Sequence, residues 1–203
     1  MKSRILSITL GAALFVASIP GVALAEVSRD DFKTFLETRD ALQDSRVKGM
    51  PEAKRIPEIA KRNFKLKGDA LQAILDKVEA EGGEKGVSDR AKQAIEAALA
   101  GTDLKARIQE VRVDTSSPHV VSYIKWAATP DKLDQEAALI ALKAGTATDV
   151  PSTFYLWAVD EKGGDLFRAK IGAERTHNIK EDRIADWAAT RYVRLFEIDR
   201  LPN

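Results

Sequence analysis

The two histidines, His119 and His177, are the first residues to consider for catalysis, because histidine is the commonest general base in proteins. A hydrolase that uses histidine in this way needs a nucleophile within hydrogen-bond reach and a carboxylate behind the ring. His119 directly follows Ser116-Ser117-Pro118, a turn signal, and neighbours within a turn rarely reach that geometry. The chain also has no Gly-x-Ser-x-Gly nucleophile elbow. The sequence therefore favours a surface turn histidine at position 119.

His177 belongs to a Glu-x-x-His pattern with Glu174, which on a helix would place two metal-ligating side chains on one face. The pattern follows a predicted strand and Gly172, so we expect a polar loop before the last helix. A metal needs further ligands, and the sequence has neither a second Glu-x-x-His nor a His-Glu-x-x-His. Glu174 and His177 are therefore weak candidate ligands, and we expect no metal.

Pairs of acids could support glycoside hydrolysis, which needs two carboxyl groups about 5 to 9.5 Å apart. Acids cluster at a predicted helix start and in a predicted hairpin loop: Asp131, Asp134, Glu136, Asp160, Glu161 and Asp165. Acids this abundant come together by chance, so a hydrolase with an unrecognised site is a third hypothesis only. The chain has no phosphate-binding loop and no dinucleotide fingerprint, so we expect no cofactor.

Two aromatic side chains, Tyr155 and Trp157, are candidate binding residues on the predicted strand 154–159. They alternate with Phe154 and Leu156, so both faces of the strand are apolar. This pattern indicates a central strand that is covered on both sides, with both aromatics in the core. The alternative is that one face stays open as an aromatic platform for a sugar or a lipid.

The most one-sided charge lies in the segment 54–67, which contains a single acid, Glu58. Its six cations are Lys54, Arg55, Lys61, Arg62, Lys65 and Lys67. A solvated helix face is the simplest interpretation of this run. The alternative is a surface that binds an anionic envelope polymer or lipid headgroups, because such a run attracts anions at low salt.

Residues 1–25 have the pattern of a Sec-type secretory signal that is removed from the mature protein. Lys2 and Arg4 precede an uncharged apolar run, and Ala23-Leu24-Ala25 supplies the small residues that signal peptidase requires. An uncleaved anchor is the alternative, which Pro20-Gly21 disfavours. We therefore expect export to the periplasm or the cell exterior, and no transmembrane segment in the mature chain.

The composition excludes several classes of protein. The chain has 203 residues, no cysteine and a net charge of +1, with 44% hydrophobic and 31% charged side chains. These values are typical of a globular protein and differ from those of a disulfide-rich miniprotein or a disordered chain. A general nucleic-acid binder would carry a clear basic excess, so we expect no nucleic-acid partner. Without cysteine the chain has no disulfide and no thiol nucleophile.

Two regions differ in their hydrophobic patterns. In 26–108, apolar residues recur at helical spacing, with Ser28 and Ser88 as expected N-caps. The predicted helices are 28–49, 56–81 and 88–101. In 109–203, two hairpins flank a helix that Thr129-Pro130 opens.

A last helix is predicted to begin at Asn178, with Glu181 completing a capping box and Trp187 facing inward. Strands joined by short turns are antiparallel. The expected fold is therefore α+β: an N-terminal helical lobe of about three helices, then a mainly antiparallel sheet of about four strands with two helices. The two regions are separate lobes or parts of one continuous core.

These features favour an exported, non-enzymatic binding protein of the cell envelope, with another envelope protein as its partner. The second hypothesis is a binder of a small ligand or of an anionic polymer or lipid, through the sheet aromatics or the basic segment 54–67. We expect no enzyme, because the sequence has no metal-ligand spacing, no group of residues that could activate a nucleophile and no cofactor-binding loop.

Overall fold

The computed structural model of the chain describes residues 27–185 and 193–200, so the predicted signal in 1–25 lies outside the described residues. The helices are α1 (Arg29–Ala41), α2 (Ser45–Lys48), α3 (Glu52–Ile59), α4 (Gly68–Ala80), α5 (Gly83–Ala100), α6 (Leu133–Ala147) and α7 (Ala173–Thr176). The strands are β1 (Ile108–Asp114), β2 (Val121–Ala127), β3 (Thr153–Val159), β4 (Asp165–Gly172) and β5 (Glu197–Arg200). A helical region precedes a sheet region, so the predicted α+β class is confirmed.

The first predicted helix begins as expected. The Ser28 hydroxyl accepts a hydrogen bond from the Asp31 backbone N–H at 3.1 Å, and the apolar side chains of Phe32 and Leu36 are fully buried. The segment does not continue unbroken to Gly49, because α1 ends at Ala41 and the short α2 follows it. A single helix over 28–49 is therefore wrong.

The second predicted helix, 56–81, is also wrong as a single element. After α3, a π-helical turn over Ala60–Phe64 ends at Lys65, whose backbone is left-handed with φ 58°. The chain then reverses, and α4 begins at Gly68. A Cβ at Gly68 would lie 3.1 Å from Cγ of Pro57, so glycine permits α4 to approach α3 closely.

The third predicted helix starts earlier than expected, at Gly83, so Ser88 is not its N-cap. The Ser88 hydroxyl donates to the Lys85 carbonyl within α5 at 3.0 Å. Gly82 and Gly83 have φ values of 89° and 67° and form the turn between α4 and α5. These two glycines therefore begin one helix as well as ending another.

The five strands form one sheet in chain order, from β1 to β5. The pairs β1–β2, β3–β4 and β4–β5 are antiparallel, which confirms the two predicted hairpins. The pair β2–β3 is parallel, with Tyr123 opposite Tyr155 and Lys125 opposite Trp157. Helix α6 makes this parallel pair possible, because it returns the chain to the end at which β2 began.

The last predicted helix is wrong at both ends, because the turn at its start is capped by no side chain, so the capping box of Asn178 and Glu181 does not form, and a strand occupies its carboxyl end. A short 3₁₀ turn spans Glu181–Arg183, Trp187 lies outside the described residues, and β5 pairs with β4 at Glu197 opposite Lys170. The edge of β4 has a row of backbone N–H and C=O groups that need hydrogen-bond partners. A strand can supply these partners, whereas a helix cannot.

Two clusters of the core share α5, and a third lies within the helical region among Val47, Ile59, Ala60 and Leu71. The inner face of the sheet packs against α5 and α6, and Ile124, Leu156, Ile95 and Leu99 are among the buried residues of this cluster. A second cluster joins α1, α4 and α5 to the sheet region, and its buried residues are Val27, Phe32, Leu36, Val78, Val87, Ala91, Val120 and Val150. Helix α5 therefore links the helical region to the sheet.

Candidate functional site

The six cations of segment 54–67 do not act alike in the structure. Arg55 is half-buried and donates to the backbone carbonyls of Lys48 and Met50, both at 3.1 Å. Arg62 lies 3.6 Å from the carboxylate of Asp44. These two arginines therefore tie α3 and the π-helical turn to neighbouring segments of the helical region.

The other four cations, Lys54, Lys61, Lys65 and Lys67, form what we call the lysine surface. All four are exposed, and none of their ammonium groups has a hydrogen bond or ion pair within the part of the chain that the structure describes. Lys54 and Lys61 are two helical turns apart and lie on the same side of the helix. Lys65 and Lys67 flank the reversal into α4.

An apolar side chain stands at the centre of that reversal. Leu66 is 37% exposed, and it is the only large hydrophobic residue exposed in the described ranges 27–185 and 193–200. Its backbone N–H donates to the Ala60 carbonyl at 3.0 Å, which holds the reversal in place. The lysine surface therefore presents one leucine between two lysines.

An acidic cleft of about 600 Å³ lies beside the lysine surface and is lined by Glu37, Asp40, Asp44 and Arg62, among others. The Arg46 backbone N–H donates to the Asp44 carboxylate, and with the charges of Arg46 and Arg62 it holds the Asp44 pKa below its ordinary value. Asp44 therefore stays ionised beside Arg62.

The outer face of the sheet carries the two aromatic candidates, Tyr155 and Trp157, and both are half-buried. Phe154 and Leu156, on the inner face, are fully buried. The prediction of a central strand is confirmed, but the prediction that both aromatics lie in the core is wrong. One face of an antiparallel or mixed sheet can remain in contact with solvent when its partner layer lies on the other side.

Trp157 has a cation on each ring face. Lys125 Nζ lies 4.3 Å and Arg168 Cζ lies 4.6 Å from the ring centroid, and these residues belong to the strands on opposite sides of β3. The indole N–H donates to the Asp165 carboxylate at 2.6 Å. The indole is thus already stacked on both sides, and a sugar ring would have to displace a cation to stack on it.

Tyr155 belongs to the same row. Its ring centroid lies 5.4 Å from that of Tyr123, and Arg112 lies over the Tyr123 ring at 4.3 Å. Burial and the nearby Asp199 carboxylate raise the Tyr155 pKa above its ordinary value, so the phenol stays protonated at neutral pH. Alternating rings and cations cover the outer face and leave no wide apolar surface on it.

A buried carboxylate, Glu136, was not singled out by the sequence beyond its place in an acid cluster. It is 4% exposed and accepts hydrogen bonds from Arg107 at 2.6 Å, the Trp126 indole N–H at 3.0 Å and the Thr129 backbone N–H at 3.1 Å. One sequence signal indicates that Glu136 faces inward. It lies four residues before Ile140 and so belongs to the apolar stripe of α6 that is buried.

The histidine candidates lie apart from any such network. Glu174 and His177 are exposed, and Glu174 lies in the short helix α7, which corrects the predicted loop. Glu174 is 70% exposed and forms an ion pair with Arg175 at 3.7 Å. His119 is exposed in the turn between β1 and β2. Within residues 27–185 and 193–200, no group of three or more potential ligands is close enough to hold a metal ion.

In the same described ranges, none of the helices combines the length and the apolar character needed to cross a bilayer. Comparisons of the chain with protein-family models, with curated proteins and with solved structures find no match.

Proposed function

We propose that this chain is an exported, non-enzymatic binding protein of the cell envelope that attaches to an anionic partner through the lysine surface. The supporting observation is the group of four exposed lysines, Lys54, Lys61, Lys65 and Lys67, which have no partner in the described part of the chain. Lysine side chains that are unpaired and flexible attract anions over a distance of about one Debye length, roughly 8 to 10 Å at ordinary ionic strength.

The first candidate partner is an envelope protein with an acidic surface. Complementary charge accelerates encounter between proteins and aligns them, while the two arginines that are tied down, Arg55 and Arg62, keep the surface in a defined shape. The second candidate is an anionic lipid surface, which Leu66 favours because a single apolar side chain between lysines can enter the headgroup region.

The test is a capture experiment with the mature chain in envelope extract, at low and at high salt, with retained species identified by mass spectrometry. The variant replaces Lys54, Lys61, Lys65 and Lys67 with Gln. The matched control replaces Lys33, Lys85, Lys92 and Lys105 with Gln, which removes the same charge elsewhere. We expect the variant to lose about tenfold or more in affinity and the control to keep it.

Separate arms distinguish the partners. Retention of one protein supports an envelope protein partner, and co-sedimentation with phosphatidylglycerol vesicles that Leu66→Ser weakens supports the lipid. Equal binding by the variant and the control would show that the lysine surface is not the site. Intact mass of the exported chain tests the predicted signal, since cleavage after Ala25 would leave Glu26 as the first residue.

A further inference from the structure

A cleft of about 450 Å³ lies at the carboxyl ends of the parallel strands β2 and β3. Its lining includes Ala127 at the end of β2, Thr129 after β2, Asp160 and Lys162 after β3, and Arg107. In open α/β sheets, ligands bind in a crevice beyond the carboxyl ends of the parallel strands. The pair β2–β3 offers the same kind of crevice in this mixed sheet. This cleft is separate from the lysine surface, which lies in the helical region.

Arg107 is held in one orientation at the cleft by a single nitrogen. Its Nη1 donates to the Glu136 carboxylate at 2.6 Å, to the Thr129 hydroxyl at 2.9 Å and to the Ala127 carbonyl at 3.3 Å. No described residue pairs with Nε or Nη2, and neither atom is among the buried unpaired nitrogens. These two nitrogens form the edge of the guanidinium that binds a planar carboxylate with two parallel hydrogen bonds.

The support behind Arg107 is itself rigid. Glu136 is buried and its second oxygen accepts from the Trp126 indole, which is fully buried in the core. An arginine whose position is set by a buried carboxylate loses little side-chain freedom when a ligand binds. The Arg107 side chain is 30% accessible, and its unpaired Nε and Nη2 are not among the fully buried atoms.

The charge of the lining selects the class of ligand. Two cations, Arg107 and Lys162, face two acids, Asp160 and Glu161. The Asp160 carboxylate accepts from the backbone N–H groups of Lys162 and Gly164 at 2.8 and 2.7 Å and so belongs to the β3–β4 turn. Glu136 already pairs with Arg107, so the site has one more acid than cation and disfavours a doubly charged phosphate more than a singly charged carboxylate.

We propose that this cleft binds a small monocarboxylate through the Nε and Nη2 edge of Arg107. The chemical class is a planar carboxylate on a small organic group that fits against Ala127, Ala128 and Pro130. The site is independent of the proposed attachment to the envelope, since neither its residues nor its ligand are shared with the lysine surface.

The test follows the Nε–H resonance of Arg107 by NMR during titration of the mature chain with sodium acetate and with sodium phosphate, at constant ionic strength set by sodium chloride. We expect a saturable shift with acetate, a dissociation constant of about 1 mM or lower, and weaker binding of phosphate. Arg107→Lys replaces the forked guanidinium with a point charge and should weaken acetate binding about tenfold or more. In this variant, which lacks the Nε–H, the titration follows the backbone amide of Thr129 in the same cleft.

A second variant tests the proposal without changing Arg107 or its contact with the buried Glu136. Glu161→Gln removes an exposed acid at the cleft and should strengthen acetate binding at least about twofold, whereas the matched Glu174→Gln on α7 should leave it unchanged. The proposal is overturned if acetate gives no saturable shift at Arg107, if phosphate binds more tightly than acetate, or if both glutamate variants behave alike.

Discussion

Asp31 shows how one side chain can join two helices. Its carboxylate accepts a hydrogen bond from Lys77 of α4 at 2.6 Å, while the cap at Ser28 holds its backbone. Burial alone would raise the pKa of Asp31, but the hydrogen bond and charge of Lys77, together with Ser28, outweigh burial and lower it. The carboxylate is therefore more stable in the folded state than in the unfolded state.

Asp31→Asn should lower the free energy of unfolding by about 1 kcal/mol at pH 7. Because the folded-state pKa lies below the unfolded value of about 3.9, this contribution is complete above that pH and disappears as the pH falls through the folded pKa. Urea denaturation of both proteins from acid to neutral pH measures it. Asp30→Asn, an exposed acid in the same turn, is the control, and a difference that persists at the lowest pH would contradict the prediction.

Glu136→Gln tests the buried carboxylate. Both oxygens of Glu136 accept hydrogen bonds, so an amide group would place its own N–H groups against donors. We expect a loss of about 3 kcal/mol or more by urea denaturation at pH 7.

The control for Glu136→Gln lies on the same helix. Burial raises the pKa of Asp134, so its ionised form is disfavoured in the fold, and Asp134→Asn should be neutral or slightly stabilising at pH 7. Equal losses from the two substitutions would show that the hydrogen bonds of Glu136 do not decide the outcome.

At the scale of elements, the packing of α6 against α7 depends on one glycine. A Cβ at Gly145 would lie 2.1 Å from the Thr176 hydroxyl oxygen and 2.6 Å from the Thr176 Cβ. Thr176 is fully buried and donates to the Ala173 carbonyl at 2.7 Å, so it cannot move aside easily. The two helices therefore require glycine at this contact.

Gly145→Ala should cost about 1 to 3 kcal/mol of stability, because a methyl group overfills the contact. Gly101→Ala is the matched control, since a Cβ there would meet only the Ala98 carbonyl oxygen at 3.5 Å, an ordinary contact. Thermal denaturation measures both. Similar melting temperatures for the two variants would show that α7 moves away from α6 at little cost.

The whole molecule is joined through α5, whose buried residues belong to both the sheet cluster and the helical cluster. We therefore expect the two regions to unfold together. All three tryptophans lie in 109–203, so fluorescence reports on the sheet region, whereas far-UV circular dichroism is dominated by the helices. The two signals should give one coincident transition.

Ile95→Ala, in the fully buried part of α5, should shift both transitions together by about 2 to 5 kcal/mol. The exposed substitution Glu96→Ala, one residue along, serves as the control and should leave both transitions nearly unchanged. A change in fluorescence alone would show that the helical region and the sheet region are separate cooperative units.

Local rules determined much of this architecture from the sequence alone. The cap at Ser28, the two hairpins and the α+β order follow from turn residues and from apolar periodicity, which act within a few residues of each other. The position of Trp157 on a central strand follows in the same way. The candidate cations of segment 54–67 also follow from the sequence, because lysine and arginine are charged whatever the fold.

Only the tertiary structure decided which of these residues are available to bind. It placed Arg55 and Arg62 against carbonyls and a carboxylate, and it sandwiched Trp157 between two cations from neighbouring strands. It also joined Arg107, which precedes β1, to Glu136 on α6, 29 residues further along. Contacts of this kind depend on strand order and helix placement, and no short-range pattern in the sequence encodes them.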